Sequence, residues 1–386
     1  MPYLDHAASS PMRAGAIVAL LPYLEDQFAN PSGGHAASRK AKTALEEARE
    51  TVAQEMGARP REIVFTGGGT EADNLAVRGG ALAARAAGRG HRVITTAVEH
   101  KAVLAPARRL AHEGFEVVEV GVDHDGRLDL DAFTRVCNDD TALVSVMLVN
   151  NEVGTVQPLA EVIEITRRQA PHAVVHTDAV QAVPWLDTRA ATLGCDLVSI
   201  SAHKFGGPKG AGVLVVREGV DLVPLIEGGG QEFGLRGGTV NVAGAVGTAT
   251  ALAENNARRE HDVPRVAARR DRFVAAITDR VPGSRGNGFG APKIAGNAHM
   301  SFEGINAEAL LVLLDRGGVY ATAGSACSSG AIESSHVLAA MGMSEAEARS
   351  SVRFSLGHTT SDADIDASID VVVAAVEQMR SVVKTR

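Results

Sequence analysis

The chain has 386 residues, of which 45% are apolar and 22% charged, and a formal net charge of −8. That length supports a large core and two domains, and the composition excludes a disordered chain. The acidic balance argues against a nucleic-acid coat or a binder of anionic membranes, and no apolar run reaches transmembrane length.

The N-terminus, Met1-Pro-Tyr-Leu-Asp-His-Ala7, has neither a basic segment nor an apolar h-region, so no secretory leader is expected. The three cysteines, Cys137, Cys195 and Cys327, lack metal-type spacing and cannot all pair within the chain. A reducing cytoplasm, with no bound metal, is the natural reading.

In chain order, short apolar runs predict strands over Glu62–Thr66, Arg92–Thr96, Leu143–Val149, Ala173–Thr177, Leu197–Ser201 and Gly212–Val216. Helical patterns lie between them over Thr70–Ala87, Val103–His112 and Leu159–Ala170. Strands rich in Val and Ile, separated by helices, predict a mostly parallel sheet covered on both faces. The segment Ala253–Phe273 mixes both charge signs at helical spacing and reads as a solvated connecting helix. Gly283–Gly290 reads as a loop, and the remainder as a smaller second domain.

Ligands of open α/β sheets sit at the carboxyl ends of the strands. Five predicted strands end in polar residues: Thr66-Gly-Gly-Gly-Thr-Glu-Ala-Asp-Asn74, Thr95-Thr-Ala-Val-Glu-His100, Asn150-Asn-Glu-Val-Gly154, His176-Thr-Asp-Ala-Val-Gln181 and Ser201-Ala-His-Lys204. Five along one sheet edge point to a single site. Each also has a plainer explanation. Gly67–Thr70 is either a strand-to-helix turn or a phosphate cradle at a helix N-terminus. It fits neither G-x-G-x-x-G nor G-x-x-x-x-G-K-[ST], which disfavours a dehydrogenase or a P-loop enzyme. Asp178 is either a helix cap or a counter-ion to a ring nitrogen. His100 is either a satisfied imidazole or a catalytic group.

Lys204 is harder to explain structurally, because an ammonium at the mouth of a core costs several kcal/mol unless it is paired. A cradle, a carboxylate, an imidazole and such a lysine together suit pyridoxal 5'-phosphate, which needs a Schiff-base lysine, an acid at its pyridine nitrogen and an anion site. A free lysine is only about 0.1% neutral at pH 7.4. Schiff-base formation and a pocket of low polarity remove that handicap.

The sequence also resembles the cysteine desulfurases of the class V aminotransferase family, the NifS and IscS type, along nearly its whole length. The supporting segments begin with Tyr3-Leu-Asp-His-Ala-Ala-Ser-Ser-Pro11, Asn30-Pro-Ser-Gly-Gly-His35 and the five strand-end motifs. They continue with Gly228-Gly-Gly-Gln-Glu232, Arg236-Gly-Gly-Thr-Val-Asn241, Gly324-Ser-Ala-Cys-Ser-Ser-Gly330 and Val352-Arg-Phe-Ser355. The resemblance implies a PLP-dependent transferase fold, aspartate aminotransferase-like. Its mostly parallel seven-stranded sheet would lie in a large domain over residues 15–255. A smaller α+β domain would comprise residues 1–14 and 256–386.

By the same resemblance, Lys204 should hold the cofactor and move the substrate's Cα proton. His100 should stack on the ring and share in proton transfer. Asp178 should pair with the pyridine nitrogen, with Gln181 and Asn151 at the ring's side and hydroxyl. Gly69, Thr70, Ser201 and His203 should surround the phosphate, and Thr239 should reach it across a homodimer interface. Arg353, with Asn30 nearby, should grip the substrate carboxylate, a bidentate task that suits arginine.

Cys137 and Cys195 sit among ordinary core neighbours. Cys327 lies in Ala323-Gly-Ser-Ala-Cys-Ser-Ser-Gly-Ala331, where nothing would pin the segment into a core. It is either an incidental small residue or, as in the long-loop desulfurases, the thiolate that collects sulfur. A thiol is already roughly 7% thiolate at pH 7.4, so modest activation suffices. The implied reaction turns L-cysteine into L-alanine, leaves a persulfide on Cys327 and passes that sulfur to an acceptor protein. Iron–sulfur assembly, tRNA thiolation and DNA phosphorothioation are candidate destinations, without direct nucleic-acid binding. A selenocysteine lyase or another class V enzyme is the nearest alternative.

Overall fold

The computed structural model of the chain describes residues 1–323 and 335–384. Seven strands form the larger sheet: β1 (Ile63–Thr66), β2 (Arg92–Thr96), β3 (Glu116–Val120), β4 (Thr141–Ser145), β5 (Val174–Asp178), β6 (Leu197–Ser201) and β7 (Gly212–Val216). Their spatial order is β1-β7-β6-β5-β4-β2-β3. Strands β2 to β6 pair in parallel, while β7 runs antiparallel to both β6 and β1.

Helices cover the sheet: α1 (Ala14–Leu20), α2 (Ala36–Glu55), α3 (Gly69–Asn74), α4 (Gly80–Ala86), α5 (Lys101–Ala111), α6 (Leu130–Val136), α7 (Leu159–Gln169) and α8 (Ala190–Leu193). Burial explains the continuous apolar runs. Every residue of β4 to β7 is buried. Val144, Val175 and Val198 belong to one core, while their neighbours Leu143, Val174 and Leu197 belong to the core on the opposite face. That alternation is the two-residue period of a strand.

A second sheet joins β8 (Ser284–Gly286), β9 (Asn297–Phe302) and β10 (Ser351–Ser355), with β9 central and all pairings antiparallel. Around it lie α9 (Val242–Arg280), α10 (Ala307–Arg316), α11 (His336–Ala340), α12 (Glu345–Arg349) and α13 (Asp362–Lys384). Its core stacks Phe354 against Phe273 and Phe302, with ring centroids 4.9 and 6.5 Å apart. Leu4 belongs to this core, and the N-terminal residues bridge to it at Tyr3–Tyr320 and Asp5–Ser355.

Four expectations differ in detail. Ala253–Phe273 is the middle of the 39-residue helix α9, which leaves the first core at Leu252 and enters the second at Val266. The helix expected over Thr70–Ala87 is interrupted by a π turn, Leu75–Gly79. There Gly79 lies so close to Val223 that a Cβ would meet that carbonyl oxygen at 2.7 Å. The strand expected to reach Val149 ends its ladder at Ser145, and the chain then follows β5 through isolated bonds from Val146 N to His176 O and Leu148 N to Asp178 O. The glycine-rich loop Gly283–Gly290 begins with β8, whose backbone pairs with β9.

Candidate active site

The carboxyl ends of the parallel strands face a cavity of about 540 Å³. It is lined by Gly69, Thr70, His100, Asn151, Asp178, Gln181, Ser201, His203, Lys204 and Arg353, all singled out in the sequence. The sheet's strand directions bring all but Arg353 together, because each of those loops leaves the same edge; Arg353 comes from β10 of the second sheet.

At one end Gly67, Gly68 and Gly69 pass between β1 and α3. Gly68 has φ of 140°, and nothing lies within 4 Å of where its Cβ would be. A Cβ on Gly69 would meet Val180 Cγ2 at 2.8 Å, and one on Gly212 would meet the Gly68 backbone at 2.6 Å. Only glycine permits this approach. No side chain caps the helix start at Gly68, which leaves its first amides and their partial positive charge for an anion.

His100 caps α5, its Nδ1 accepting from Ala102 N at 3.1 Å. The neutral ring therefore carries its proton on Nε2. Burial, then the charge of Lys204, pushes its pKa down to about 4, so the ring is neutral near pH 7. Asp178 ends β5, and its Oδ1 accepts from Val180 N at 2.8 Å. Burial raises its pKa to about 6 despite that bond and the charge of Lys204.

Lys204 closes the 3₁₀ turn after β6. Its Nζ donates to Ala7 O at 2.7 Å and Ala8 O at 2.9 Å. Gln181 Nε2 also donates to Ala7 O, at 2.9 Å. The N-terminal turn thus braces both residues. Arg353, on β10, donates from Nη1 to Asn151 O at 2.8 Å and from Nη2 to Asp5 Oδ1 at 3.0 Å.

Three expected residues are not part of this wall. Asn30 is exposed, and its Oδ1 accepts from Ser32 N at 2.9 Å. Thr239 is also exposed and lies outside the cavity lining. Cys327 lies outside the described residues. Sequence reasoning assigned no role to Asp5, Ala7, Ala8 or Asp73, which do line the cavity. Asp5, Ala7 and Ala8 belong to the Tyr3–Pro11 segment quoted for the resemblance, but backbone carbonyls leave no trace in side-chain chemistry. Asp73 lies within the polar Thr66–Asn74 segment, from which only Gly69 and Thr70 were given roles.

The residues present fit pyridoxal phosphate. The glycine cradle suits the phosphate, Asp178 the ring nitrogen and Lys204 the carbonyl carbon. The buried Oδ1 of Asn151, which has no hydrogen-bond partner, is an acceptor at hand for the ring hydroxyl.

Fold and site together define an α/β protein of the PLP-dependent transferase fold, with its polar cavity at the edge of a mostly parallel sheet. The chain belongs to the aminotransferase class-V family, whose model matches residues 2–367. It is 40% identical over 98% of its length to a protein named cysteine desulfurase IscS from Dictyoglomus turgidum, covering 95% of that protein. It is 44% identical to an IscS-like cysteine desulfurase from Mycobacterium tuberculosis, covering 98% of this chain and 97% of the relative. Among solved structures, a NifS-like protein superposes with a TM-score of 0.90 at 32% identity, covering 98% of this chain and all of that one. DndA from Streptomyces lividans gives a TM-score of 0.78 at 36% identity, over 92% of this chain and 99% of that one.

Proposed function

We propose that the protein is a pyridoxal-phosphate-dependent cysteine desulfurase that converts L-cysteine to L-alanine and delivers the sulfur through a persulfide on Cys327. The observation that carries this reading is the convergence of Lys204, Asp178, His100 and the glycine cradle on one cavity, with Arg353 in its wall. Its relatives named cysteine desulfurase support the same reading.

When bound, pyridoxal phosphate supplies an electron sink that acidifies the substrate Cα proton. Gly69, Thr70, Ser201 and His203 hold the phosphate, and Asp178 supplies the negative charge facing the ring nitrogen. Arg353 binds the substrate carboxylate. Lys204, released from covalent attachment, moves the proton at Cα, and neutral His100 presents its Nε2–H to the reacting groups. The Cys327 thiolate then forms an S–S bond as the substrate Cβ–S bond breaks. The thiol proton ends on the new methyl group, so atoms and electrons balance without an external oxidant. The acceptor is a sulfur-carrier or scaffold protein of iron–sulfur assembly, tRNA thiolation or DNA phosphorothioation, in the cytoplasm.

The reading includes the homodimer that the resemblance implies, and an exposed Thr239 outside its own chain's cavity is compatible with it. The expected division at residues 15–255 against 1–14 and 256–386 stays part of the proposal. It is supported by the separate cores of the two sheets.

Purified protein incubated with pyridoxal phosphate should acquire a visible band, and borohydride should fix the cofactor on the peptide containing Lys204. Added L-cysteine should then yield alanine and, with a thiol reductant, an equal amount of sulfide. A colourless protein, or alanine without sulfide, contradicts the proposal.

A further inference from the structure

Eight residues after Cys327 the chain reaches Ser335, the N-cap of α11. That short helix packs on the two loops that carry His100 and Asn151. Its Val337, Leu338 and Met341 share one apolar cluster with Val98, Met147 and Val153. Val98 stands two residues before His100, and Val153 two residues after Asn151.

Hydrogen bonds fix the contact on both sides. Ser335 Oγ accepts from Leu338 N at 3.1 Å, which caps the helix, and donates to Glu152 Oε2 at 2.6 Å. His336 Nε2 lies 2.9 Å from Glu99 O. A carbonyl only accepts, so that nitrogen carries the ring proton. Ser335, Glu99 and Glu152 are 6%, 0% and 3% exposed, and buried polar groups of this kind are costly unless hydrogen-bonded. Each glutamate in turn holds its own loop. Glu152 N donates to Asn150 Oδ1 at 2.9 Å, and its carbonyl accepts from Asn297 Nδ2 at 2.8 Å. Glu99 Oε1 accepts from Thr96 Oγ1 at 2.9 Å and from Met147 N at 2.7 Å. On the other side of Cys327, Thr322 exchanges two backbone bonds with Arg353, at 2.7 and 3.3 Å, and lines the cavity.

We propose that Ser335 and His336 are positioning residues for sulfur transfer: through Glu152 and Glu99 they fasten the chain after Cys327 to the loops that carry Asn151 and His100. The inference deepens the desulfurase reading and rests on it for the role of Cys327. A tethered reactant meets its target at an effective concentration set by where its tether is fixed. With Thr322 bonded to Arg353 and α11 bonded to the other two loops, the segment that carries the thiol is held at both ends to the walls it must serve. Loosening the α11 end dilutes the thiol at the cavity without touching the groups that bind cysteine.

The test has two arms and uses S335A, H336A and H336Q. The first follows backbone hydrogen exchange in the cofactor-free protein. H336A should speed exchange at Met147, and S335A at Glu152 and Val153, by about 2- to 10-fold, the worth of one hydrogen bond. The amides of β5 and β6 should not change. H336Q, whose Nε2–H can reach the same carbonyl, should restore the wild-type rate. Acceleration confined to α11 overturns the proposal, because the helix would then anchor neither loop. The second arm loads the protein with pyridoxal phosphate and adds L-cysteine and a reductant. The cysteine concentration that half-saturates the visible spectral change should stay at the wild-type value. Sulfide release at saturation should fall about 2- to 10-fold in H336A and recover in H336Q. A merely structural role would move both quantities together, and sulfide release equal to wild type in H336A and S335A overturns the proposal. Should S335A fail to fold, H336A and H336Q decide, since both keep the Ser335 cap. A wild type that takes up no cofactor counts against the desulfurase reading, whereas the exchange arm still decides the anchor.

Discussion

Lys204 and Arg353 are held by partners that their proposed ligands must replace. The lysine donates to two carbonyls of the N-terminal turn, and the arginine to Asp5 and the Asn151 carbonyl. These contacts hold two cations in the lining of the same cavity. Hydrogen bonds to charged groups contribute about 1.5–3 kcal/mol. R353A should therefore raise KM for L-cysteine about 10- to 100-fold, and R353K should recover only part of that because an ammonium cannot make the paired contact. Steady-state kinetics would decide it, and an unchanged KM would remove Arg353 from substrate binding. K204A should bind pyridoxal phosphate without the Schiff-base absorbance band, while D178N should keep the band but bind the cofactor at least about tenfold more weakly. Absorbance and cofactor titration separate the two.

Among the elements, the segment that precedes Thr239 is fixed by a buried ion pair. Arg49 of α2 donates to both carboxylate oxygens of Glu232 at 2.8 Å, and Phe65 N of β1 donates to the same carboxylate. The side chains of Arg49 and Glu232 are 3% and 1% exposed. Glu232 and Phe233 have φ of 47° and 59°, a conformation that costs on the order of 1–3 kcal/mol each and persists because these bonds over-determine it. R49A leaves a buried carboxylate unpaired and should destabilise the protein by about 3–5 kcal/mol. Chemical denaturation would measure it, and a loss below about 1 kcal/mol would contradict this role.

The buried strands were legible as apolar runs because both faces are covered. Strand β3 was not, since it lies at the sheet edge with Glu116 exposed and Glu119 paired to Arg108. The α+β character of the smaller domain was implied only by the resemblance; its strands were not read out, because one face of β9 and β10 carries His299, Ser301 and Ser351 in a buried polar network with Asn287. Of the site, the strand-end side chains were readable from their chemistry. The bracing carbonyls of Ala7 and Ala8 and the buried Ser145–His176–Ser199 row arise only from the tertiary pairing of distant segments.

At the scale of the whole molecule, burial of ionisable groups predicts how the cofactor-free protein responds to pH. Burial depresses the pKa of His6, His176 and His299 to about 3 and of His100, His203 and His358 to about 4. Each contributes stability that is present above the ordinary value of 6.5 and lost as pH falls below it, because the unfolded chain then binds the proton. Glu99 behaves oppositely. Burial raises its pKa from 4.5 to about 8, so its contribution is greatest in acid and fades as pH rises through that window. E99Q should therefore gain melting temperature over wild type progressively from pH 4.5 to 8 and hold the gain above it. A constant difference would mean that Glu99 is ionised throughout.

The measurement that bears most directly on the central claim compares wild type with Cys327→Ala, each loaded with pyridoxal phosphate and given L-cysteine and a reductant. Both should show a change in the visible spectrum as cysteine reaches the cofactor, and only wild type should release sulfide and alanine catalytically. Full sulfide release by the variant would contradict the account, because the sulfur would then leave without passing through Cys327.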